Sequence, residues 1–486
     1  MKKVVVIGSG IGGLAVAIRL ASKGYSVKVF ERNEAPGGKL GFFEQDGYAF
    51  DTGPSLFTQP QNIEELFEVA GEPIEDYFTY RKVPISCYYF WEDGKRIKAY
   101  TDKREFAAEL QEKLNEHPVT IIEYLKRAED IYEKIGKIFI DHSLHNKDTW
   151  FNKRIIPAIK ATRKEYIFRS MHEYHQKNFR SPKTVQLFDR FATYNGSNPY
   201  MAPAMLSMIP HLEQNEGTFY PEGGMISITN ALYKLALKKG VEFQFNSKVE
   251  KILQSKGKVS GVHANGSFAG ADIVVSNMDV YYVYRDLLLD EKAAADVLKR
   301  ERSSSALIFY WGIKKEFPEL HLHNIFFSRD YEKEFHHLFS EGSMYHDPTI
   351  YINISSKMES IHSPSGTENW FVMVNAPAHR DQDWDIIQKE VRANILSKLK
   401  RMMGVDVESL IETERMLNPK GIEYSTLSHM GSLYGTSSNS KWAAFLRHRN
   451  DSTKLQGLYF TGGSVHPGGG IPLCLKSAKI VSEQIS

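Results

Sequence analysis

Cysteine is almost absent. Cys87 and Cys474 are the two in 486 residues, and they lie far apart. That excludes a disulfide framework and a cysteine-rich zinc site, and it fits a reducing cytoplasm. An excess of one charge is missing too. The 61 Lys and Arg stand against 59 Asp and Glu, a formal net charge of +2, whereas a whole-chain nucleic-acid binder would be strongly basic. Long apolar runs are also lacking, since no window reaches the roughly 18 residues of a spanning helix. Met1-Lys2-Lys3 followed by Val4 to Ile7 imitates a secretory signal but stops at Gly8, short of the roughly 7–15 apolar residues such a segment needs. Ala306 to Trp311 reads as a buried strand. What remains is an ordinary globular composition, 42% hydrophobic and 25% charged, in a chain long enough for roughly two to four domains.

The N-terminus carries the first positive signal. Lys3 to Ile7 is a short β-branched run, the composition of a buried parallel strand. It leads into Gly8-Ser9-Gly10-Ile11-Gly12-Gly13. Leu14, Ala17, Ile18 and Ala21 then recur at helical spacing, and a second strand, Ser26 to Phe30, ends at Glu31 and Arg32. Strand, glycine loop, helix, strand and acid is the order of a dinucleotide-binding unit. Gly8 permits the turn, Gly10 lets backbone approach a pyrophosphate, and Gly13 allows the helix to pack closely on the strand. The helix N-terminus offers unpaired N–H groups to phosphates, and Glu31 stands where a carboxylate can hold a ribose. Just beyond, Pro36-Gly37-Gly38-Lys39 lets the chain fold back over the pyrophosphate and adds a cation, which favours FAD over NAD. Phe50-Asp51-Thr52-Gly53-Pro54-Ser55 is a second turn expected beside the flavin.

The C-terminus carries the other. A short strand, Leu458 to Thr461, runs into Gly462-Gly463-Ser464-Val465-His466-Pro467-Gly468-Gly469-Gly470-Ile471-Pro472 and then a final helix. Cys474, Ala478, Val481 and Ile485 share one face of that helix. Such a loop suits backbone that passes close to a planar ligand and ends at a helix N-terminus, where charge on a reduced flavin would be stabilised. A Gly/Pro-rich surface loop is the bland alternative.

These two ends, with Phe219-Tyr220-Pro221-Glu222-Gly223-Gly224-Met225, resemble the bacterial carotenoid desaturases, the phytoene-desaturase-like flavoproteins. The chain is most similar to the hydroxycarotenoid 3,4-desaturases among them, although Val465 stands where a smaller Thr or Ala is usual. The resemblance covers the whole chain. It implies an α/β fold, with a discontinuous Rossmann-type FAD domain of the glutathione-reductase type and an inserted α+β substrate domain. Residues 1–75, 217–290 and 455–486 would form the first; 76–216 and 291–454 would form the second. It implies backbone at Val249 against the adenine, and contacts to the cofactor from Gly8, Gly10, Gly12, Gly13, Glu31, Arg32, Gly38, Lys39, Gly53, Pro54, Gly462, Gly463, Gly470, Ile471 and Pro472. It also implies a lipid-soluble polyene substrate and a place among other carotenoid-pathway enzymes. The other readings are a phytoene- or diapophytoene-type desaturase, an amine-oxidase-like flavoenzyme acting on a polar substrate, and a carotenoid carrier that holds flavin without turnover.

The substrate side gives weaker signals. Lys153 to Arg190 holds ten Lys and Arg with interleaved apolar residues. It suits either a solvated face or a basic amphipathic segment lying on an anionic membrane, which would place the protein peripherally at the inner face of the cell membrane. His142, His145, His172 and His175 complete no recognised metal-ligand set. Phe309-Tyr310-Trp311 and Trp442 to Leu446 are expected either to line an apolar tunnel or to be plain core. Gly431 to Gly435 is expected near the substrate. No catalytic triad or carboxylate pair stands out. His466 is the nearest identifiable base, with a loop-shaping histidine as its other reading.

Overall fold

A computed structural model of the chain describes residues 1–151, 153, 155–440 and 446–485. The β-branched run Lys3–Ile7 is the central strand of a five-stranded sheet, ordered 458–460, 273–276, 3–7, 26–30 and 242–244. Every neighbouring pair is parallel. Helices and strands cover both faces of such a sheet, which is why its strands read as unbroken apolar runs rather than alternating ones. On one face lie the helices Ile11–Ser22, Ile226–Lys238 and Ile471–Gln484, sharing a core of Leu14, Ile18, Leu235, Ala478 and Val481. Over the other packs a three-stranded antiparallel sheet of 249–255, 258–264 and 267–270. There Val262, Val274 and Phe460 meet. Three separate stretches of chain therefore build one nucleotide-binding-type body. The fold is mixed α/β.

The second body is built on a seven-stranded sheet, ordered 411–417, 305–313, 368–376, 350–353, 323–326, 85–90 and 96–100. Only the contact between 323–326 and 85–90 is parallel. Ser305–Ile313 is buried at all nine positions because it pairs on both edges and is covered on both faces. Its alternate residues part company. Leu307, Phe309, Trp311 and Ile313 enter a core with Trp370 and the helix Trp384–Met403, while Ala306, Ile308 and Tyr310 face the other way. Burial of each large side chain of that core contributes about 1.5–3 kcal/mol. A helical layer including Lys103–Leu114, Pro118–Ile131 and Pro182–Asp189 closes round Phe106, Tyr124 and Phe188. Among the described residues no helix is long and apolar enough to cross a membrane.

Candidate functional site

One cavity of about 780 Å³ runs between the two bodies. At its first end it is lined by residues that leave the carboxyl ends of the parallel strands: Gly8 after the first, Glu31 after the second, Asn277 after 273–276 and Gly463 after the last. Ligands in open α/β sheets sit outside those ends.

The architecture here is backbone pressed on backbone. A Cβ on Gly13 would lie 2.0 Å from the Gly8 carbonyl oxygen, and one on Gly53 would lie 1.9 Å from that of Lys39. Glycine is therefore the only residue these crossings admit. Asn277, which the sequence reading passed over, is the common neighbour. A Cβ on Gly10 would come within 2.7 Å of its amide nitrogen, and Cβ atoms on Gly12 and Gly462 within 2.7 Å and 2.5 Å of its amide oxygen. Its one legible mark is its place directly after the strand 273–276. Gly13 and Gly462 do not line the cavity; they let the loops close on each other behind it.

Two helix N-termini open into this end. Ile11–Ser22 starts at Gly10 and Ile471–Gln484 at Gly470, and neither has a side-chain cap or an acid in its first turn. Gly470 has φ 101°, and a Cβ there would meet nothing within 4 Å. These uncapped N–H groups face a cavity that anions or electron-rich rings can enter. Ile471 and Pro472 line it beside them.

The charged candidates are placed as follows. Glu31 lines the cavity with Ser247, Lys248 and Val249, and its carboxylate accepts from the Ser9 N–H at 2.7 Å, the Ser9 hydroxyl at 2.9 Å and the Asn33 N–H at 2.9 Å. It thereby pins the glycine loop to the second strand. Arg32 lines the cavity beside Glu31, while its side-chain charge is engaged elsewhere. Its guanidinium donates to the carbonyls of Tyr424 and Ser425, at the end of the helix Pro419–Thr426, where the helix dipole favours a cation. Only its neighbourhood, not its charge, serves the nucleotide end. Lys39 donates to the Leu433 carbonyl at 2.8 Å, and burial lowers its pKa to about 8, with Asp279 opposing that shift. It ties the segment containing Gly38 to Ser432–Gly435, all four of which line the cavity. Gly53 and Pro54 line it as well.

His466, the candidate base, stands behind the cavity wall. It is 2% exposed and is not among the lining residues. Its Nε2 bonds the His142 carbonyl at 2.9 Å and its N–H donates to the His448 carbonyl at 2.8 Å. Burial lowers its pKa to about 4. The ring fastens the glycine loop to the helical layer. The motif Tyr220–Met225 does not reach the cavity either. Asp51 holds it instead, accepting from the N–H groups of Met225 and Ile226, both at 3.0 Å.

The other end is walled by side chains from the seven-stranded sheet and the helical layer. Ala306, Ile308 and Tyr310 line it, whereas Phe309 and Trp311 are core, because successive residues of a strand face opposite ways. Ile140, Met208, Ile209, Leu212, Ile325 and Met373 make it largely apolar. Trp442 to Phe445 lie outside the described residues. Arg190, read from sequence as part of an exposed basic face, is buried. It pairs with Glu213 at 2.9 Å and donates to the hydroxyls of Tyr89 and Tyr194 at 2.6 and 2.8 Å. Lys183 is taken up by Asp93 at 2.7 Å. His172 and His175 both place Nδ1 2.6 Å from Asp189.

Comparison with known proteins bears on what enters this cavity. The family model for flavin containing amine oxidoreductases matches residues 11–486. A 1-hydroxycarotenoid 3,4-desaturase of Flavobacterium sp. (strain P99-3) is 50% identical over 485 residues, covering 100% of this chain and 99% of that protein. A 4,4'-diaponeurosporene oxygenase of Staphylococcus aureus (strain MSSA476) is 33% identical over 496 residues, covering 100% and 98%. An oxidoreductase of known structure from Methanosarcina mazei matches with a TM-score of 0.64 at 16% identity, covering 99% of each chain. At that identity the likeness speaks for the fold alone.

Proposed function

We propose, from the premise that this chain belongs to the flavin containing amine oxidoreductase family, that it is an FAD-dependent desaturase of hydroxylated carotenoids, forming the 3,4 double bond. The observation that carries the reading is the single cavity. It joins two uncapped helix N-termini to a largely apolar chamber, so a charged dinucleotide and a polyene can meet inside one wall.

The residues present fit FAD. Gly10 and the first turn of Ile11–Ser22 leave room and N–H groups for the pyrophosphate. Glu31 and the backbone at Val249 would take the adenosine end, and the Gly470–Pro472 turn would take the ring. Bound there, FAD supplies a two-electron acceptor for a hydride leaving the substrate. The protein's own tasks are to hold the polyene in line with that acceptor and to keep water out. The apolar lining from Ile308, Ile325 and Met373 does the second.

Attachment to a bilayer belongs to the same reading, because a carotenoid must be drawn from lipid. Phe151 is 85% exposed, and Ile156, Ile159 and Phe168 are each more than 60% exposed. Lys153, Lys160, Arg163, Lys164 and Arg169 are exposed among them. Apolar residues within a basic surface suit the interface of an anionic membrane, at the inner face of the cell membrane. Co-sedimentation with anionic vesicles should weaken as salt rises, and further in an Arg163→Glu/Lys164→Glu/Arg169→Glu variant. Vesicle binding by that variant equal to wild type would leave the face merely solvated.

The test of function is anaerobic mixing of the yellow holoenzyme with a 1-hydroxycarotenoid. Loss of oxidised-flavin absorbance with a product two hydrogens lighter is expected. In a parallel mixture supplied with oxygen, a product heavier by oxygen would favour the chemistry named for the staphylococcal relative, and no bleaching in the anaerobic mixture would favour a carrier.

A further inference from the structure

One polar side chain at the nucleotide end is placed by the topology of the parallel sheet. The strand 273–276 lies between the first strand and the last, pairing Ser276 with Ile7 on one side and with Phe460 on the other. Both neighbours run on into glycine loops, one beginning at Gly8 and the other at Gly462. Asn277 is the next residue of the middle strand, and its N–H donates to the Ile7 carbonyl at 2.9 Å. Its side chain therefore enters the gap between the two loops. Nδ2 stands where a side chain on Gly10 would go, 2.7 Å from a Cβ built there. Oδ1 lies in the angle between Gly12 and Gly462, 2.7 Å and 2.5 Å from the Cβ positions of those two. Asn277 is half-buried and lines the cavity. Among the described residues neither end of its amide has a hydrogen-bond partner, and neither is shut away from the cavity.

An asparagine that serves the fold is bonded differently, as Asn450 behind the same C-terminal loop shows. Its buried Nδ2 reaches the His466 carbonyl at 2.8 Å, the Ser477 hydroxyl at 3.1 Å and the Phe460 carbonyl at 3.2 Å. Other polar side chains of this corner are engaged too. Glu31 accepts from Ser9 and Asn33, and Ser464 Oγ accepts from the Val280 N–H at 3.1 Å. Asn277 Nδ2 carries two N–H donors that these groups leave unused. A polar group held at a cavity wall is satisfied by what enters the cavity. Beside Gly10 that is the stretch where backbone approaches a pyrophosphate. Resting on the FAD reading proposed above, we infer that the Asn277 carboxamide donates from Nδ2 to the pyrophosphate of FAD. It does so alongside the uncapped N–H groups of the helix Ile11–Ser22. A carboxamide suits this place because it donates to an anion while adding no charge beside the flavin, whereas an acid there would repel phosphate. Oδ1, resting on Gly12 and Gly462, keeps the amide from swinging away. The third strand thereby joins the first and last in gripping one ligand.

The test is titration of apoprotein, prepared from the holoenzyme, with FAD and separately with ADP, which carries the pyrophosphate but no flavin. Asn277→Asp keeps the size and puts an anion in place of the donor. It should raise both dissociation constants by about a hundredfold. Asn277→Leu keeps a branched side chain between the glycines but has no donor, and should raise both by about tenfold. Asn277→Ala removes atoms from the cavity wall and should match it, which decides the matter where a bulkier variant folds poorly. A residue that merely fills the gap would be replaced by leucine without loss of affinity, and alanine would then lower the thermal midpoint of the apoprotein instead. Wild-type affinity for FAD and ADP in the leucine or alanine variant would overturn the inference while leaving the FAD reading intact. Weakened FAD binding with unchanged ADP binding would overturn it as well, by moving the amide to the flavin half of the cofactor. Wild-type apoprotein that binds neither ligand would fell the FAD reading, and this contact with it.

Discussion

The two ends of the cavity are made in different ways. The nucleotide end is made of backbone, from glycines whose missing side chains let loops cross, strand ends that aim at one point, and helix N-termini left uncapped. The substrate end is made of side chains, set at alternate positions on strands that lie tens of residues apart in the chain. Backbone construction tolerates no added atom but is indifferent to most neighbouring side chains. Side-chain construction tolerates substitution but determines what fits. Mutations at the first end should therefore remove the cofactor, and mutations at the second should change chemistry with the cofactor in place.

The sharpest break is expected at Gly13. A valine there must displace the Gly8 carbonyl, which is backbone and cannot rotate away. Gly13→Val should abolish flavin retention, read as flavin absorbance per mole of purified protein. A fully loaded Gly13→Val protein would mean the helix does not pack on the strand as described.

Next is the opposite end. Ile308 stands on the cavity face of its strand, next to Phe309 on the core face. Ile308→Trp should fill the chamber, lowering turnover by about a hundredfold or more through lost substrate alignment while flavin content stays at wild-type level. Equal loss of flavin and turnover would erase the distinction between the two ends.

Glu31 tests the first end at its acidic side chain. Its carboxylate holds Ser9 and Asn33, and hydrogen bonds to a charged group contribute about 1.5–3 kcal/mol. Glu31→Ala should raise the FAD dissociation constant by about tenfold to a hundredfold in a titration of the apoprotein. An unchanged constant would show that the nucleotide is held without it.

This difference also explains what the sequence discloses. Gly8 to Gly13 and Gly462 to Pro472 are legible because steric exclusion by backbone depends on local order, and local order is what a sequence prints. The parallel strands are legible for the same reason, being short apolar runs at loop boundaries. Asn277 is not, since nothing local distinguishes it from any polar residue after a strand, and its place against three glycines arises only when two distant loops meet. Phe309-Tyr310-Trp311 reads as one aromatic block, yet strand pleating sends Tyr310 to the cavity and its neighbours to the core. Arg190 reads as one more surface cation until Glu213 and two tyrosines, 4 to 101 residues away in sequence, surround it.

The smallest effect on catalysis is expected where the sequence offered its one base. His466 belongs to the backbone-built end but sits behind the cavity wall, donating from Nε2 to the His142 carbonyl. A general base contributes about a hundredfold to ten-thousandfold, whereas a ring that only fastens a loop contributes to stability. His466→Gln preserves a donor of similar reach, so turnover should stay within about threefold of wild type with full flavin. The consequence lies in acid unfolding. The folded pKa of His466 is about 4, below the 6.5 of an unfolded histidine, so the unfolded chain takes up the proton first. The stability this provides is complete above pH 6.5 and is lost as pH falls toward 4, at most about 3 kcal/mol by the value of a pKa unit. His448 and His323, lowered to about 4 and about 3 by burial, lose stability in the same direction. The glutamine variant should therefore show a shallower fall in unfolding free energy between pH 6.5 and 4, keeping the share that belongs to the other two. A hundredfold loss of turnover in flavin-loaded His466→Gln, with an unaltered acid profile, would instead return the ring to the reaction and move the cavity wall to include it.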